Sequence, residues 1–553
     1  MRYGSIPCPD RSSGLIFETS PGIERRGYNF YVRVMFMQED VQIKASTRKK
    51  GRSTIKNPRI LIITPEITYL PRGMGNMANV LTAKAGGMAD VSASLVSELY
   101  DLGADIHVAL PHYRRMFHIN IAQLINDELR IFQEKMPDSR IHLAEDRIFY
   151  YRDSIYSGYG LEAAHISLAF QREAINNIIT RVKPNLIHCN DWMTGLIPAM
   201  ARRRSIPCLF TIHNIHTQKI TLSHIEDRGI DGAEFWQNLY YTRPPHHYEE
   251  SREDNPVDFL ASGIFASHFI NTVSPTFLRE IVDGWHDFVP GPIRQEIINK
   301  QNADCAFGII NAPDKVFNPE DDPNIEFHYT HENPFPNKKR NKRELQKKLG
   351  LEVNGEAPLL FWPSRLDPVQ KGCDLLAHVL YHVVSSHYEK NLQIVFVANG
   401  SYQQVFRDIV RFHDFYHRVS VCDFDERLSH LAYAASDFVL MPSKFEPCGL
   451  PQMIGSKFGS LPIAFDTGGL HDTVDDLDIG QNRGNGFLFK VFDGPGLQWA
   501  IDQAMEFFML PEEVKEKQVS RIMKEAAERF NLSQTAEKYI GLYEKMLQRP
   551  LVV

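Results

Sequence analysis

The feature that most limits what this chain can fold into is an alternation that begins at Pro58 and runs almost to its end. Short β-branched or apolar runs alternate with longer amphipathic stretches. In the first half the runs fall at 59–64, 105–110, 186–189, 208–213, 269–273 and 305–311. In the second half they fall at 359–363, 392–398, 418–422, 437–441, 461–465 and 487–489. Between them lie segments of helical period, such as 88–100, where Met88, Val91, Leu95 and Leu99 share one face. Strand–helix alternation in both halves predicts an α/β chain with two parallel-sheet domains facing a cleft. A length of 553 residues accommodates them. The expected division is a first domain over 57–315, a linker over 316–340 rich in Pro, Asn and charge, a second domain over 341–530, and a last helix over 531–553 packing back toward the first domain.

The segment 1–56 lacks the pattern. It carries eleven Lys and Arg against five Asp and Glu, in a chain whose formal net charge is -7. Its basic run from Lys44 to Lys56 reads as a solvated tail, with a nucleic-acid arm or an organellar targeting segment as the alternatives. No apolar stretch follows a basic start, so it is not a secretory leader. It is expected to be a disordered extension outside the catalytic fold. The acidic balance of the whole chain excludes a global basic field for nucleic acid or anionic membrane. No apolar run approaches the roughly 18 to 20 residues that span a bilayer. Seven cysteines lie far apart without a Cys-x-x-Cys pair. That argues against a disulfide framework or zinc site and for a reducing compartment, expected to be the cytoplasm, with a plastid left open by the basic head.

The polar motifs fall at the ends of the predicted strands, where open α/β sheets bind ligands. Lys84-Ala-Gly-Gly-Met-Ala-Asp90 precedes the helical segment 88–100; Gly86 and Gly87 let a ligand approach the backbone, and the helix start offers N–H groups to an anion. His213 and Asn214 end one apolar run, and Asn190-Asp191-Trp192 ends the one before it, where it also suits a helix cap. Arg365 and Lys371 follow the first run of the second half, six residues apart. A planar fork and a point charge together suit a polyphosphate. In Ser443-Lys-Phe-Glu446-Pro-Cys448-Gly449-Leu450, a carboxylate is followed by a glycine turn and a helix opened by Pro451. Asp466-Thr467-Gly468-Gly469 repeats the glycine turn one unit later, and two adjacent turns suit a diphosphate. Aromatic-rich stretches at 150–159 and 235–248 suit either a glucan surface or the edges of the core.

As an ordered set over residues 58–548, these motifs resemble the bacterial glycogen synthase and plant starch synthase family of glycosyltransferases. The resemblance implies the two-Rossmann-domain architecture called GT-B. It also implies transfer of glucose from ADP-glucose to the non-reducing end of an α-1,4-glucan, with retention and without metal or cofactor. By this resemblance Lys84, Gly86, Gly87 and Asp90 lie beside the donor diphosphate and glucose, His213 contacts the donor sugar, and Asn311 follows the last strand of the first domain. Arg365 and Lys371 neutralise the departing diphosphate, and Glu446 is the key acidic residue. Cys448, Gly449 and Leu450 offer backbone to the phosphates and sugar, joined by Thr467, Gly468 and Gly469, and Phe424 stacks on adenine. The chain departs from the family pattern at Met88, at Asn190 and Met193, at Lys219 after Gln218, after Asn311, and in an Arg365–Lys371 interval one residue longer than usual. Ile454 stands where retaining relatives have a second glutamate, which favours front-face attack by the acceptor hydroxyl over a double displacement. The competing readings are a pyridoxal-phosphate α-glucan phosphorylase and a catalytically silent glucan-binding protein.

Overall fold

The computed structural model describes residues 57–117, 140–156 and 160–552; the basic head lies outside them. The strands are β1 (Arg59–Ile63), β2 (Asp105–Pro111), β3 (Ile141–Ala144), β4 (Leu186–Asn190), β5 (Cys208–Ile212), β6 (Lys219–Ile220), β7 (Val257–Asp258), β8 (Phe269–Thr272), β9 (Ala306–Gly308), β10 (Leu359–Trp362), β11 (Gln393–Val397), β12 (Val419–Cys422), β13 (Phe438–Met441), β14 (Leu461–Phe465) and β15 (Phe487–Phe489). They form two parallel sheets in the orders β3-β2-β1-β4-β5-β8-β9 and β12-β11-β10-β13-β14-β15, with β6 and β7 as a separate antiparallel pair. β1, β4, β5, β10, β11 and β13 bury nearly every side chain, which is why each reads as a mainly apolar run between helices.

The strand order reverses between β1 and β4 in the first sheet and between β10 and β13 in the second. A reversal splays the following loops apart and opens a crevice at the strand ends. Glu66 and Asp191 follow the first pair of strands, and the Arg365–Lys371 loop and Glu446 follow the second.

Helix Phe335–Leu349 begins inside the segment expected to be a linker, with Pro336 in its first turn where no N–H is needed. The last helix, Leu532–Leu547, lies on the first sheet's domain. There Ala536, Tyr539, Leu542 and Tyr543 join the core built on β1 and β4. A closed polar chain ties it down. Tyr543 donates to His188 Nδ1 at 2.7 Å, His188 Nε2 to Thr211 at 2.6 Å, Thr211 to Asn271 Oδ1 at 2.6 Å, and Asn271 Nδ2 to Tyr539 at 3.0 Å. Burial pushes His188 down to about 3, so the imidazole is neutral and can accept at one nitrogen while donating at the other. Among the described residues no helix is long and apolar enough to cross a membrane.

Candidate active site

Glu446 lies in the loop beyond β13 rather than at the strand's end, because Pro442 directly after Met441 has no N–H to continue the ladder. Glu446 is buried, and its carboxylate accepts from Lys371 Nζ at 2.5 Å and from the Ser443 hydroxyl at 3.1 Å. The loop after β10 is shaped to make that meeting. Asp367 Oδ1 accepts from the amides of Val369 and Gln370, folding the chain back, and Lys444 N–H donates to Gln370 O at 2.8 Å. Gly372 then turns the backbone at φ +72°, where a Cβ would stand 1.9 Å from Pro442 O. Arg365 is exposed and forms no ion pair among the described residues.

The glycine turns differ from one another. Gly469 N–H donates to Glu446 O at 2.9 Å, and Cβ atoms on Gly468 and Gly469 would lie 2.2 Å from Glu446 O and 2.1 Å from Cys448 O. These two glycines let one loop lie directly on the other. Gly468 N–H donates to the carboxylate of Glu280, from the first domain, at 2.9 Å. In this structure the Thr467-Gly-Gly turn is thus engaged by protein groups.

On the first domain's side, Lys84 pairs with Asp90 at 3.0 Å and reaches toward Glu426 of the second domain at 3.7 Å. Asp90 also accepts from Thr68 at 2.7 Å. The amides of Ala85 and Gly86, expected to face an anion, donate to Glu66 Oε2 at 2.7 and 3.1 Å. Tyr156, from one of the aromatic stretches, donates to the other oxygen at 3.2 Å. In the second stretch Phe235 and Tyr241 are core residues. Burial pushes Glu66 up to about 7 against the pull of those N–H groups. The sequence reading passed over Glu66; its place just past the end of β1, at the strand reversal, was the available signal.

His213 follows β5 and donates from Nε2 to Asn190 Oδ1 at 2.9 Å; burial lowers it to about 4, so it is neutral. Asp191 does not cap a helix with its side chain. Its carboxylate accepts from the His213 amide at 2.8 Å and from Asn214 Nδ2 at 2.8 Å, and burial raises it to about 7. The two halves approach closely: a Cβ on Gly87 would be 3.8 Å from Leu450 Cδ1, and buried Cys448 packs in one cluster with Val273 and Ile310 of the first domain. Asn311 is 4% exposed, with its Oδ1 unpartnered among the described residues. Phe424 is 50% exposed, its amide fixed by Asn399 Oδ1.

Residues 59–288 match the starch synthase catalytic domain, and residues 357–506 the group 1 glycosyl transferases. The glycogen synthase of Anoxybacillus flavithermus is 31% identical over 499 residues, spanning 84% of this chain and 95% of its own. This chain belongs to the glycogen synthase and starch synthase family. Glycogen synthase of Clostridium kluyveri is 32% identical over 495 residues, spanning 84% of this chain and 97% of its own. The catalytic domain of starch synthase IV from Arabidopsis thaliana, in a structure with ADP and acarbose, is 25% identical with a TM-score of 0.70 and covers 89% of this chain and 100% of that one. Sucrose-phosphate synthase from Thermosynechococcus elongatus, at 16% identity, a TM-score of 0.52 and coverage of 89% and 99%, shares the fold. The chain is a glucosyltransferase of GT-B architecture.

Proposed function

We propose that this enzyme transfers glucose from ADP-glucose to the non-reducing 4-hydroxyl of an α-1,4-glucan, glycogen or starch, with retention of configuration. The observation that carries the reading is the Lys371–Glu446 pair, seated at the strand reversal of the second sheet within one loop of Arg365 and of the Cys448–Leu450 turn. Breaking the bond from glucose C1 to the diphosphate leaves negative charge on the leaving group and positive character on the sugar ring. Lys371 and Arg365 stabilise the first, acting on charge that grows only in the transition state. As Lys371 turns to the diphosphate, the Glu446 carboxylate is freed to stabilise the sugar. Neutral His213, its Nε2 already donating, has Nδ1 left to accept from a sugar hydroxyl. Ile454 is buried where a second carboxylate would stand. The acceptor hydroxyl therefore attacks from the face the diphosphate leaves, and its proton passes to the departing oxygen.

Family membership favours neither the phosphorylase nor the silent binding-protein reading. Incubation with glycogen and radiolabelled ADP-glucose should place label in α-1,4-linked polymer. Incorporation from UDP-glucose alone would reject the donor, and incorporation from neither would reject the activity.

A further inference from the structure

Two carboxylates outside the reaction just described cross between the domains in opposite directions. Glu280 sits on helix Pro275–Asp283, which follows β8 of the first sheet, and is 2% exposed. It accepts from Gly468 N–H at 2.9 Å, from the Thr467 hydroxyl at 3.2 Å and from His286 Nε2 at 2.9 Å. Asp472 sits on helix Gly468–Thr473, which follows β14 of the second sheet. It accepts from the Ser274 hydroxyl at 2.5 Å, from Thr276 N–H at 3.1 Å and from the Thr276 hydroxyl at 2.6 Å. Each helix hands a carboxylate to the opening residues of the other, where free N–H groups and the helix dipole favour negative charge.

The exchange is wired to Glu446 by two routes. Through the backbone, Gly468 and Gly469 lie directly on Glu446 O and Cys448 O, so the position of Gly468 sets the height of the Glu446 loop. Through side chains, His286 holds Glu280 and lies 6.1 Å from the Phe445 ring, which also meets Phe288 of the first domain at 4.0 Å between centroids. Phe445 precedes Glu446 in the chain. Two domains that slid apart would break both carboxylate contacts and the aromatic contact together.

We propose that Glu280 and Asp472 are positioning residues, a reciprocal cross-domain latch that seats the Glu446 loop for transfer. The proposal rests on the role of Glu446 given above. It also reserves the Gly468 amide for Glu280, leaving the donor diphosphate to Arg365, Lys371 and the Cys448–Leu450 turn.

The test combines kinetics with small-angle scattering of the full-length protein without substrates. Glu280→Ala should lower kcat on the order of tenfold to a hundredfold, as expected when a reacting group is misplaced. KM for ADP-glucose should change much less, and the radius of gyration should grow. Glu280→Gln keeps an oxygen for the Gly468 amide and should restore most of both. Asp472→Ala should behave like Glu280→Ala, and the double variant should be no worse than the worse single one, since both break one contact. If either alanine variant does not fold, Thr276→Val removes one of the three contacts that Asp472 accepts and should give a smaller loss of kcat with a smaller growth in radius. Glu280→Ala with unchanged kcat and unchanged radius would overturn the latch. If the wild type does not use ADP-glucose, the functional reading fails on its own; the radii still decide the latch, and equal radii reject it.

Discussion

Lys371 Nζ lies 2.5 Å from Glu446 Oε2, and their side chains are only 12% and 7% exposed. A near-buried ion pair adds little to stability over a well-packed apolar pair, since both charges lose their water. Its value here is positional. The fold brings together, from the loops that follow β10 and β13, a cation suited to a leaving phosphate and a carboxylate suited to an electron-poor sugar. The long Arg365–Lys371 interval does not swing Lys371 away: the Asp367 turn takes up its length, and Gly372 tucks the chain under Pro442.

Glu446→Gln tests the carboxylate. It keeps shape and the Ser443 contact but removes the charge. Turnover should fall roughly 10²-fold, the usual size of a lost electrostatic stabiliser. The variant also leaves the Lys371 ammonium without its counter-charge, which should cost about 3 kcal/mol of stability. Adding Lys371→Met should recover stability but not activity. Urea unfolding and kcat with ADP-glucose measure the two effects; near-normal turnover in a folded variant rejects the role.

The two cations should separate in stability while agreeing in kinetics. Arg365→Ala removes an exposed side chain without an ion pair and should shift stability by no more than about 0.5 kcal/mol. Lys371→Ala strands the Glu446 carboxylate and should cost about 3 kcal/mol. Either change should lower kcat more than it raises KM for ADP-glucose, and the double variant should lose less than the two losses combined, because both serve one leaving group. A Lys371→Ala enzyme with full kcat would leave Arg365 and the turn amides to hold the diphosphate.

Local patterns were legible and long-range ones were not. Arg365 and Glu446 each follow a strong apolar run within five residues, so strand periodicity located them, and Lys371 lies further along the same loop as Arg365. β3 escaped the reading because Ile141-His-Leu-Ala is short and carries a histidine, and its register comes from pairing with β2 rather than from its own composition. The Thr467-Gly-Gly turn looked like a ligand loop because glycines that admit a ligand and glycines that admit another backbone read alike. Glu66 and Glu280 escaped for a related reason. What distinguishes them is which distant amides they meet, Ala85 and Gly86 for one and Gly468 for the other, and only the folded topology brings those together.

The ring of Phe424 is half-exposed, and its proposed role is to stack on the donor base. Phe424→Ala should raise KM for ADP-glucose about fivefold, the equivalent of ~1 kcal/mol of stacking, with little change in kcat. Measured beside UDP-glucose, the same change should narrow the preference between donors. A KM that does not move would place the adenine elsewhere.

Glu66 supplies the pH dependence. Burial raises its carboxyl from 4.5 to about 7. Between those values the native state keeps a proton that the unfolded chain has lost, so stability falls as pH rises through the window and levels off above it. Asp191, raised by burial from 3.8 to about 7, adds in the same direction. His213, lowered by burial from 6.5 to about 4, adds in the opposite one: its contribution is full above 6.5 and fades as pH falls toward 4. Glu66→Gln isolates the first term, because the amide oxygen still accepts from Ala85 and Gly86 but carries no charge. Relative to wild type, the variant should gain about 1 to 3 kcal/mol between about pH 5 and about pH 8, read by urea unfolding at both. Its elongation rate should also lose an inflection near neutral pH, since the charge that anchors the Lys84–Gly87 loop no longer titrates. Parallel stability curves for the two proteins would mean that Glu66 ionises as an ordinary surface carboxylate.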